Sequence, residues 1–536
     1  MDTSRKIKIF DTTLRDGQQC PGAGMSFAEN IRYAELSCEV GVDVLEAGFP
    51  SASKLDFEIV ATIARDISPR DNAPIIAGLC QLREEQVIKT IESLLPAVPQ
   101  KKARLHTYVP VSPDLLKASL GSKAGDKKGI VRDLFNFVKM AVAEGLEVEF
   151  SPEGYSRQGD NFSFTTDLIR AAVEAGAGVI NCPDTIGGGC RFEGEDYFVN
   201  RMKQHAAIID KEFPGNNVTW STHCHNDFGL ALDNSLEAVF YGPARQIEGC
   251  FGGVGERAGN VALEQCVMVI AHFSRCLNAE EPLFTGVKSS AMYRILQFIS
   301  ANMLPTQPHS PIGGDNAMRH SSGGHTNAIL KNPRVYQPFD PAEVGREIVM
   351  VFGPLSGGNH AKSIIEKNGY RCTDVEKAEL AQFIKTYYAE RRKGITDKEL
   401  MKAYFDYRKP IDISSVDYAK SANRSEVTLT GRFFDQAGEI HGSNEGRDSA
   451  LVALKKMIDE KFPGLALTSH KSRSVGESVH ALSLSTIEVE HQGVVFRGTG
   501  EDSDIELSAI RALIDATNRA YVDSKFKTKT RVQDVL

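Results

Sequence analysis

Runs of like charge are missing from this chain: acidic and basic side chains are interspersed along its 536 residues, and the formal net charge is −8. Such a surface argues against nucleic acid or an anionic membrane as the main partner. No stretch approaches 18 consecutive apolar residues, so no membrane span is expected. The opening residues, MDTSRKIKIF, enter a strand-like pattern directly, without the charged-then-apolar leader of a secreted chain. The 10 cysteines include no CxxC pair, which argues against a zinc ribbon and fits reduced thiols. A glycine-rich stretch, GGVGERAGN, lacks GxGxxG spacing and opens no clear phosphate cradle, so it reads as a tight loop and not a dinucleotide fingerprint. These absences leave a cytoplasmic, multi-domain chain of ordinary composition, 41% hydrophobic.

What is present is alternation. Strand-like segments occur at KIKIFD, VDVLEAGF, PIIAGLC, ARLHTYV, LEVEFS, AGVINCPD, VTWSTHCH and RQIEGCF. Between them lie stretches such as FAENIRYAELSCEVG and TTDLIRAAVEAGA, with apolar residues at i, i+3, i+4 and a Gly stop. Eight strands in about 250 residues, each followed by a helix, predict a (β/α)8 barrel better than an open doubly wound sheet. Each apolar run also ends in polar groups: Arg15 and Asp16, Glu46, Gln81, His106, Ser151 with Glu153, Asp184 and Thr185, His223 with His225, and Glu256 to Asn260. All strand C-termini of a parallel barrel open on one face, so these groups are expected to converge there.

STHCHNDFG carries the sharpest signal. Two histidines at i and i+2 diverge on a helix but share a face on a strand, about 7 Å apart. The preceding NVTWST reads as a strand, so His223 and His225 can grip one divalent cation; ordinary hydrogen bonding is the alternative. Asp16 is the expected third ligand, because a carboxylate supplies the charge that neutral imidazoles lack, and Asn260 can add a carbonyl oxygen. Two His and a carboxylate leave open positions, which suits catalysis by Mg²⁺, Mn²⁺ or Zn²⁺. Arg15 beside that cation suits a developing oxyanion, and the pair asks for a substrate with adjacent oxygens such as a 2-oxo acid.

The ordered motifs FDTTLRDGQQ, EAGFP, SPEGYSR, CPDTIG, HCHNDFGLA and GERAGN resemble the barrel signatures of the α-isopropylmalate synthases, members of the Claisen-condensing metallolyases that include homocitrate and citramalate synthases. The similarity continues through HSSGGHTNAILKNPRVY and LSGGNHA. It implies that a cation at Asp16, His223 and His225, with Asn260 nearby, binds a 2-oxo acid, and that Arg15 polarises its ketone. It further implies that Glu256 completes an Asp-Arg-Glu set, and that Thr185, Ser151 and His106 contact the oxo acid, in a substrate site that also includes Arg15 and Glu46. Glu153 and His325 would share the acid–base work, with Tyr336 close by. The implied reaction condenses acetyl-CoA with the oxo acid and hydrolyses the thioester. The implied assembly is a homodimer, with His325 acting in trans. A 2-oxoisovalerate-using enzyme of leucine biosynthesis is the leading reading. Citramalate synthase (pyruvate) and homocitrate synthase (2-oxoglutarate) are alternatives, followed by a metal-dependent C–C lyase and a ligand sensor. GLCQ and HTYVPVS depart from the family's Arg and Ala-Thr-Ser at the ends of strands three and four, beside the pocket for the oxo acid's side chain.

Beyond the barrel (1–275), residues 276–424 are rich in Pro, Gly, Ser and His and read as a helical connector contributing to the active site. From 425 to 536, strand-like segments precede helix-like ones twice, predicting a small α+β regulatory or dimerising domain built on an internal repeat. The family's Gly-Asn-Gly-Pro turn appears as HGSNEGRDSA, without its proline, which leaves leucine feedback open.

Overall fold

A computed structural model describes residues 5–528 apart from 391–393, 422, 446–448 and 476–481. It divides into two compact units, Met1–Met318 with Pro338–Ile348, and Arg319–Gln337 with Val349–Leu536. Among the described residues no helix is long and apolar enough to cross a membrane.

The first unit is built on eight parallel strands: β1 (Lys6–Asp11), β2 (Val44–Glu46), β3 (Ile75–Gln81), β4 (Ala103–Pro110), β5 (Glu147–Glu153), β6 (Val179–Asp184), β7 (Thr219–Cys224) and β8 (Ala244–Gly249). Neighbours pair in sequence order, and β1 pairs with both β8 and β2, so the barrel is closed as the alternation predicts. Every one of the eight expected strand segments overlaps a barrel strand. Helices return the chain between them, and their ends follow local chemistry. The helix Phe27–Val40 starts in a Ser26–Glu29 capping box and stops at Gly41, whose φ of 81° an L side chain would resist. Outward strand residues such as Ile7, Ile9, Leu105, Val148 and Ile180 pack against these helices in one continuous core.

Inside the barrel the filling is asymmetric. Phe10, Val44 and Ala77 make a small apolar cluster on the β1–β3 side. On the opposite side Arg104 is fully buried, donating from Nη1 to Glu149 (2.8 Å) and to Gln246 (2.9 Å), while Gln246 donates to Glu149 and Ser221 (2.9 Å each). TIM-barrel interiors are ordinarily filled with branched aliphatics. Here the inward positions of β4, β5, β7 and β8 carry hydrogen-bonding groups that satisfy one another.

The second unit opens with four helices, Gly323–Lys331, Gly358–Lys367, Lys377–Tyr387 and Asp397–Arg408, the last three packed on a core of Ile365, Leu380, Ile384 and Tyr404. They lead into two βββα repeats. The first joins strands Ile411–Lys420, Arg424–Phe433 and Gln436–Glu445 with helix Ala450–Lys461. The second joins Ala466–Val475, Leu482–His491 and Val494–Asp502 with helix Ile505–Phe526.

Two expected boundaries move. The division at 424/425 would separate paired strands, since Ile411–Lys420 runs antiparallel to Arg424–Phe433. A register shift between Ile413 and Ser415 breaks the period-two pattern there, which hides the strand in the sequence. The stretch 276–424 is also not one piece: helix Met292–Asn302 buries Ile295, Leu296 and Ile299 in the first unit's core, and the helices after 349 belong to the second unit. Part of the HGSNEGRDSA turn lies outside the described residues.

Candidate metal and active site

The barrel mouth is where the polar strand ends meet. A cavity of about 250 Å³ is lined there by Arg15, Asp16, His106, Ser151, Glu153, Thr185, His223, His225 and Glu256, nine of the residues singled out in the sequence. Glu46 and Asn260 stand behind this lining and bond to it. Of the other polar strand ends, Gln81 pairs with Gln86, and Asp184 accepts from the Gly189 N–H (2.9 Å) and the Ser156 hydroxyl (2.6 Å), shaping a loop instead of the cavity.

His223 and His225 present their Nε2 atoms 3.1 Å apart, with the rings at 78°. Asp16 Oδ2 lies 3.9 Å from His223 Nε2, and one donor atom from each of the three residues falls within a 4.8 Å cluster. Asp16 is itself fixed on both oxygens, by Arg15 Nη1 (2.6 Å) and Asn260 Nδ2 (2.7 Å). Glycine is required beside it: a Cβ on Gly255 would sit 2.3 Å from Asn260 Nδ2 and 3.0 Å from Asp16 Oδ1.

The protonation states match metal binding. Burial pushes His223 down to about 3 and also lowers His225, so both rings are neutral with lone pairs available. Burial raises Asp16, but the Arg15 guanidinium, helped by the Asn260 amide donating to it, outweighs burial and holds the carboxyl well below the usual range. Nitrogens about 2.1 Å from a shared cation at roughly a right angle lie about 3 Å apart, which is the separation observed. The buried Asn260 Oδ1 has no hydrogen-bond partner among the described residues, leaving a carbonyl oxygen uncommitted. The donor set therefore fits a divalent cation.

Next to it runs a chain of charges. Arg15 donates to Glu46 (Nε, 2.6 Å), Asp16 and Glu248 (Nη2, 3.1 Å). Glu46 accepts in addition from Thr12 (2.5 Å) and contacts His106 Nδ1 at 2.7 Å. His106 Nε2 reaches Ser151 Oγ (2.7 Å), and Asn181 Nδ2 donates to both Ser151 (3.0 Å) and Glu248 (2.8 Å). Burial would neutralise His106, but Glu46 overrides it and raises the imidazole to about 9. Burial likewise opposes ionisation of Glu46, yet Arg15 and His106 hold it low. Glu248 goes the other way: burial, aided by Glu46, raises it against the pull of His106 and Arg15. Glu46, His106 and Glu248 also lie close enough together to form a donor cluster, but the guanidinium already occupies that role.

Glu256 was expected to join Asp16 and Arg15. Its side chain instead is 57% exposed at the rim, 4.0 Å from Arg257, and the glutamates that bind Arg15 are Glu46 and Glu248. Glu248 and Asn181 went unrecognised in the sequence. Their signal was a polar residue at an inward position inside an otherwise apolar strand, in RQIEGCF and VINCPD. His325 and Tyr336 belong to the second unit. There they stack on each other with ring centroids 3.8 Å apart, and Tyr336 takes a φ of 60°, rare for a residue with a side chain.

Comparison with known proteins agrees with this architecture. Residues 6–299 match the HMGL-like family, 312–393 the homocitrate synthase post-HMGL domain-like family, and 401–521 the LeuA allosteric (dimerisation) domain. A 2-isopropylmalate synthase of Prochlorococcus marinus is 32% identical over 550 residues, covering 99% of this chain and 98% of the relative. The 2-isopropylmalate synthase of Microcystis aeruginosa is 33% identical over 550 residues, covering 99% of each.

Proposed function

Because the chain belongs to the 2-isopropylmalate synthase family, we propose that it condenses acetyl-CoA with 2-oxoisovalerate, giving 2-isopropylmalate and free CoA for leucine biosynthesis. The observation that carries this reading is the convergence of Asp16, His223 and His225 on one point beside Arg15 at the mouth of a closed barrel.

When bound there, a divalent cation (Mn²⁺, Mg²⁺ or Zn²⁺) supplies Lewis-acid polarisation of the ketone. Asp16, His223, His225 and Asn260 hold it. Arg15 has five N–H groups, and its three carboxylate contacts leave two that can reach the oxygen where negative charge develops. Ser151 Oγ receives His106 Nε2–H and Asn181 Nδ2–H, so its own hydrogen is free to be donated into the cavity; Thr185, which accepts from the Gly154 N–H (2.9 Å), is placed likewise. These two hydroxyls bind the oxo acid's carboxylate. Phe49, Leu79 and Tyr108 give the cavity an apolar wall. Of its two arginines, Arg15 serves the reacting oxygen and Arg257 is committed to Asp227 (2.9 and 3.0 Å), which favours a branched apolar side chain over the distal carboxylate of 2-oxoglutarate.

Burial raises the Glu153 carboxyl, against Arg15, giving the cavity a base stronger than an exposed glutamate. With His325 it handles the proton lost from the acetyl methyl. The carbanion adds to the ketone carbon, and water then cleaves the thioester to release the thiol and the product carboxylate. The dimerisation domain supports a homodimer.

A thiol-release assay on metal-replete protein with a panel of 2-oxo acids tests the reading. Turnover with 2-oxoisovalerate in preference to pyruvate is expected. The opposite preference replaces the substrate, and no release with any oxo acid removes the condensation.

A further inference from the structure

The Glu153 carboxyl lines the cavity, yet it is held there through its backbone. Among the described residues no hydrogen bond reaches it, and its ionisation responds to burial and to Arg15. Upstream, the Val111 N–H donates to the Glu153 carbonyl (2.8 Å) at the end of the β4–β5 pairing. Downstream, Gly154 takes a φ of 72° and turns the chain, so that Tyr155 leaves the cavity and is buried in the core shared with the helices.

Tyr155 is where that turn is fastened to the helical shell. Its hydroxyl lies 2.7 Å from Nδ1 of His205, on helix Phe198–Glu212, and both residues are fully buried. His205 Nε2 lies 3.0 Å from Thr166 Oγ1, and the Thr166 hydroxyl donates to the Phe162 carbonyl (2.9 Å). With its own hydrogen used there, Thr166 accepts from His205 Nε2–H, which leaves Nδ1 as the lone pair that receives the Tyr155 hydroxyl. Burial lowers the imidazole to about 4, so the ring is neutral and carries one hydrogen, as this chain of bonds requires. Phe162 stacks on the same ring, with centroids 4.2 Å apart and planes at 15°, and fixes its orientation. The bonds of Gly154 to Thr185 and of Ser156 to Asp184 reach only the end of β6 and the loop after it.

Packing alone does not call for a polar pair at this place. Two apolar side chains of the same shape would fill the space at nearly equal stability, whereas a single unpaired polar group would not. What a satisfied buried hydrogen bond adds is one allowed arrangement. We propose that Tyr155 and His205 are positioning residues for Glu153: their buried hydrogen bond fixes the turn after β5 and thereby the place of the carboxyl in the cavity. This role rests on the function proposed above, in which that carboxyl helps to handle the proton of the acetyl methyl, a transfer that tolerates little displacement.

Tyr155→Phe and the double variant Tyr155→Phe/His205→Leu separate positioning from stability in the full-length, metal-replete chain. The single variant strands His205 Nδ1 and should unfold at lower urea concentration than the native chain. The double variant removes both polar groups, leaves Thr166 bonded to Phe162, and should regain most of the native urea midpoint. In both, kcat should fall about 10- to 100-fold, with metal content and the KM for 2-oxoisovalerate unchanged, because the cation, Arg15 and Ser151 are untouched. The acid limb of the kcat profile should shift to lower pH, as a loosened Glu153 carboxyl gains solvent. Amide hydrogen exchange at Gly154 to Ser156, read by mass spectrometry, should quicken in both variants. A kcat that recovers together with the urea midpoint makes the pair merely structural and overturns the proposal, as does a native kcat in Tyr155→Phe or native exchange in both variants. Exchange needs no turnover, so a native chain inert in thiol release refutes the reaction, while exchange still decides whether the pair fastens the turn.

Discussion

Glu46→Gln is the change whose consequences the site geometry defines most fully. The native carboxylate accepts from Arg15 Nε and Thr12 on one oxygen and holds His106 on the other. Burial disfavours the charged imidazole, and Glu46 is the main reason that it is raised from 6.5 to about 9. That difference corresponds to about 3 kcal/mol of folding free energy. Because the folded value lies above the unfolded one, this stabilisation is fully present below about pH 6.5 and lost as pH rises through about 9. The glutamine variant is expected to lose it at every pH. It also leaves a buried guanidinium one partner short, so stability at pH 6.5 should fall by about 3–5 kcal/mol. The chain's single tryptophan, Trp220, is buried in β7 and reports on the barrel. Urea unfolding followed by its fluorescence should show native stability declining between pH 6.5 and 9, and a flatter profile in Glu46→Gln. A native profile that is flat across that window, or a His106 resonance titrating at or below 6.5, would refute the ion-pair argument.

Four further outcomes are expected. His223→Ala and Asp16→Asn should each weaken divalent-cation binding by at least about 100-fold, read by metal analysis after dialysis, with the far-ultraviolet circular dichroism retained. Arg104→Met should cost about 3–5 kcal/mol in urea titrations by stranding Glu149, and adding Glu149→Gln should recover part of that loss. Glu153→Gln should lower kcat about 10²–10⁴-fold with little change in metal content, because the cavity keeps its ligands and loses its base. His325→Ala should lower kcat on the same scale; an unchanged rate would remove it from the acid–base pair.

Much of the barrel was legible because its signals are local. KIKIFD, for instance, is β1 from first residue to last. The HxH pair could be placed from strand periodicity alone, and Asp16 followed from charge. What the sequence hid is pairing across strands. Glu256 and Glu248 both lie near the end of the eighth strand segment, and only strand register decides which one faces Arg15: Glu248 pairs beside His223 and points inward, whereas Glu256 follows the glycine turns at Gly252 and Gly253 that carry it to the rim. Asn181 was hidden in the same way, as a polar residue inside an apolar run. The strand Ile411–Lys420 escaped because its bulge, between Ile413 and Ser415, shifts the alternation near its start.

The polar filling of the barrel explains how so short a strand as β2 delivers Glu46 accurately. Each of β4, β5, β7 and β8 contributes two successive inward polar residues: Arg104 and His106, Glu149 and Ser151, Ser221 and His223, Gln246 and Glu248. The lower member of each pair bonds within a sealed layer, and the upper member faces the cavity. Because the pleat repeats every two residues, slipping any of these strands by one residue would turn both members into the apolar shell under the helices. A buried ion pair such as Arg104–Glu149 is weak evidence for net stability. As a register lock it penalises every misaligned pairing with stranded charge. The catalytic layer above, including Glu46 through its bonds to His106 and Arg15, then inherits its geometry from the layer beneath it.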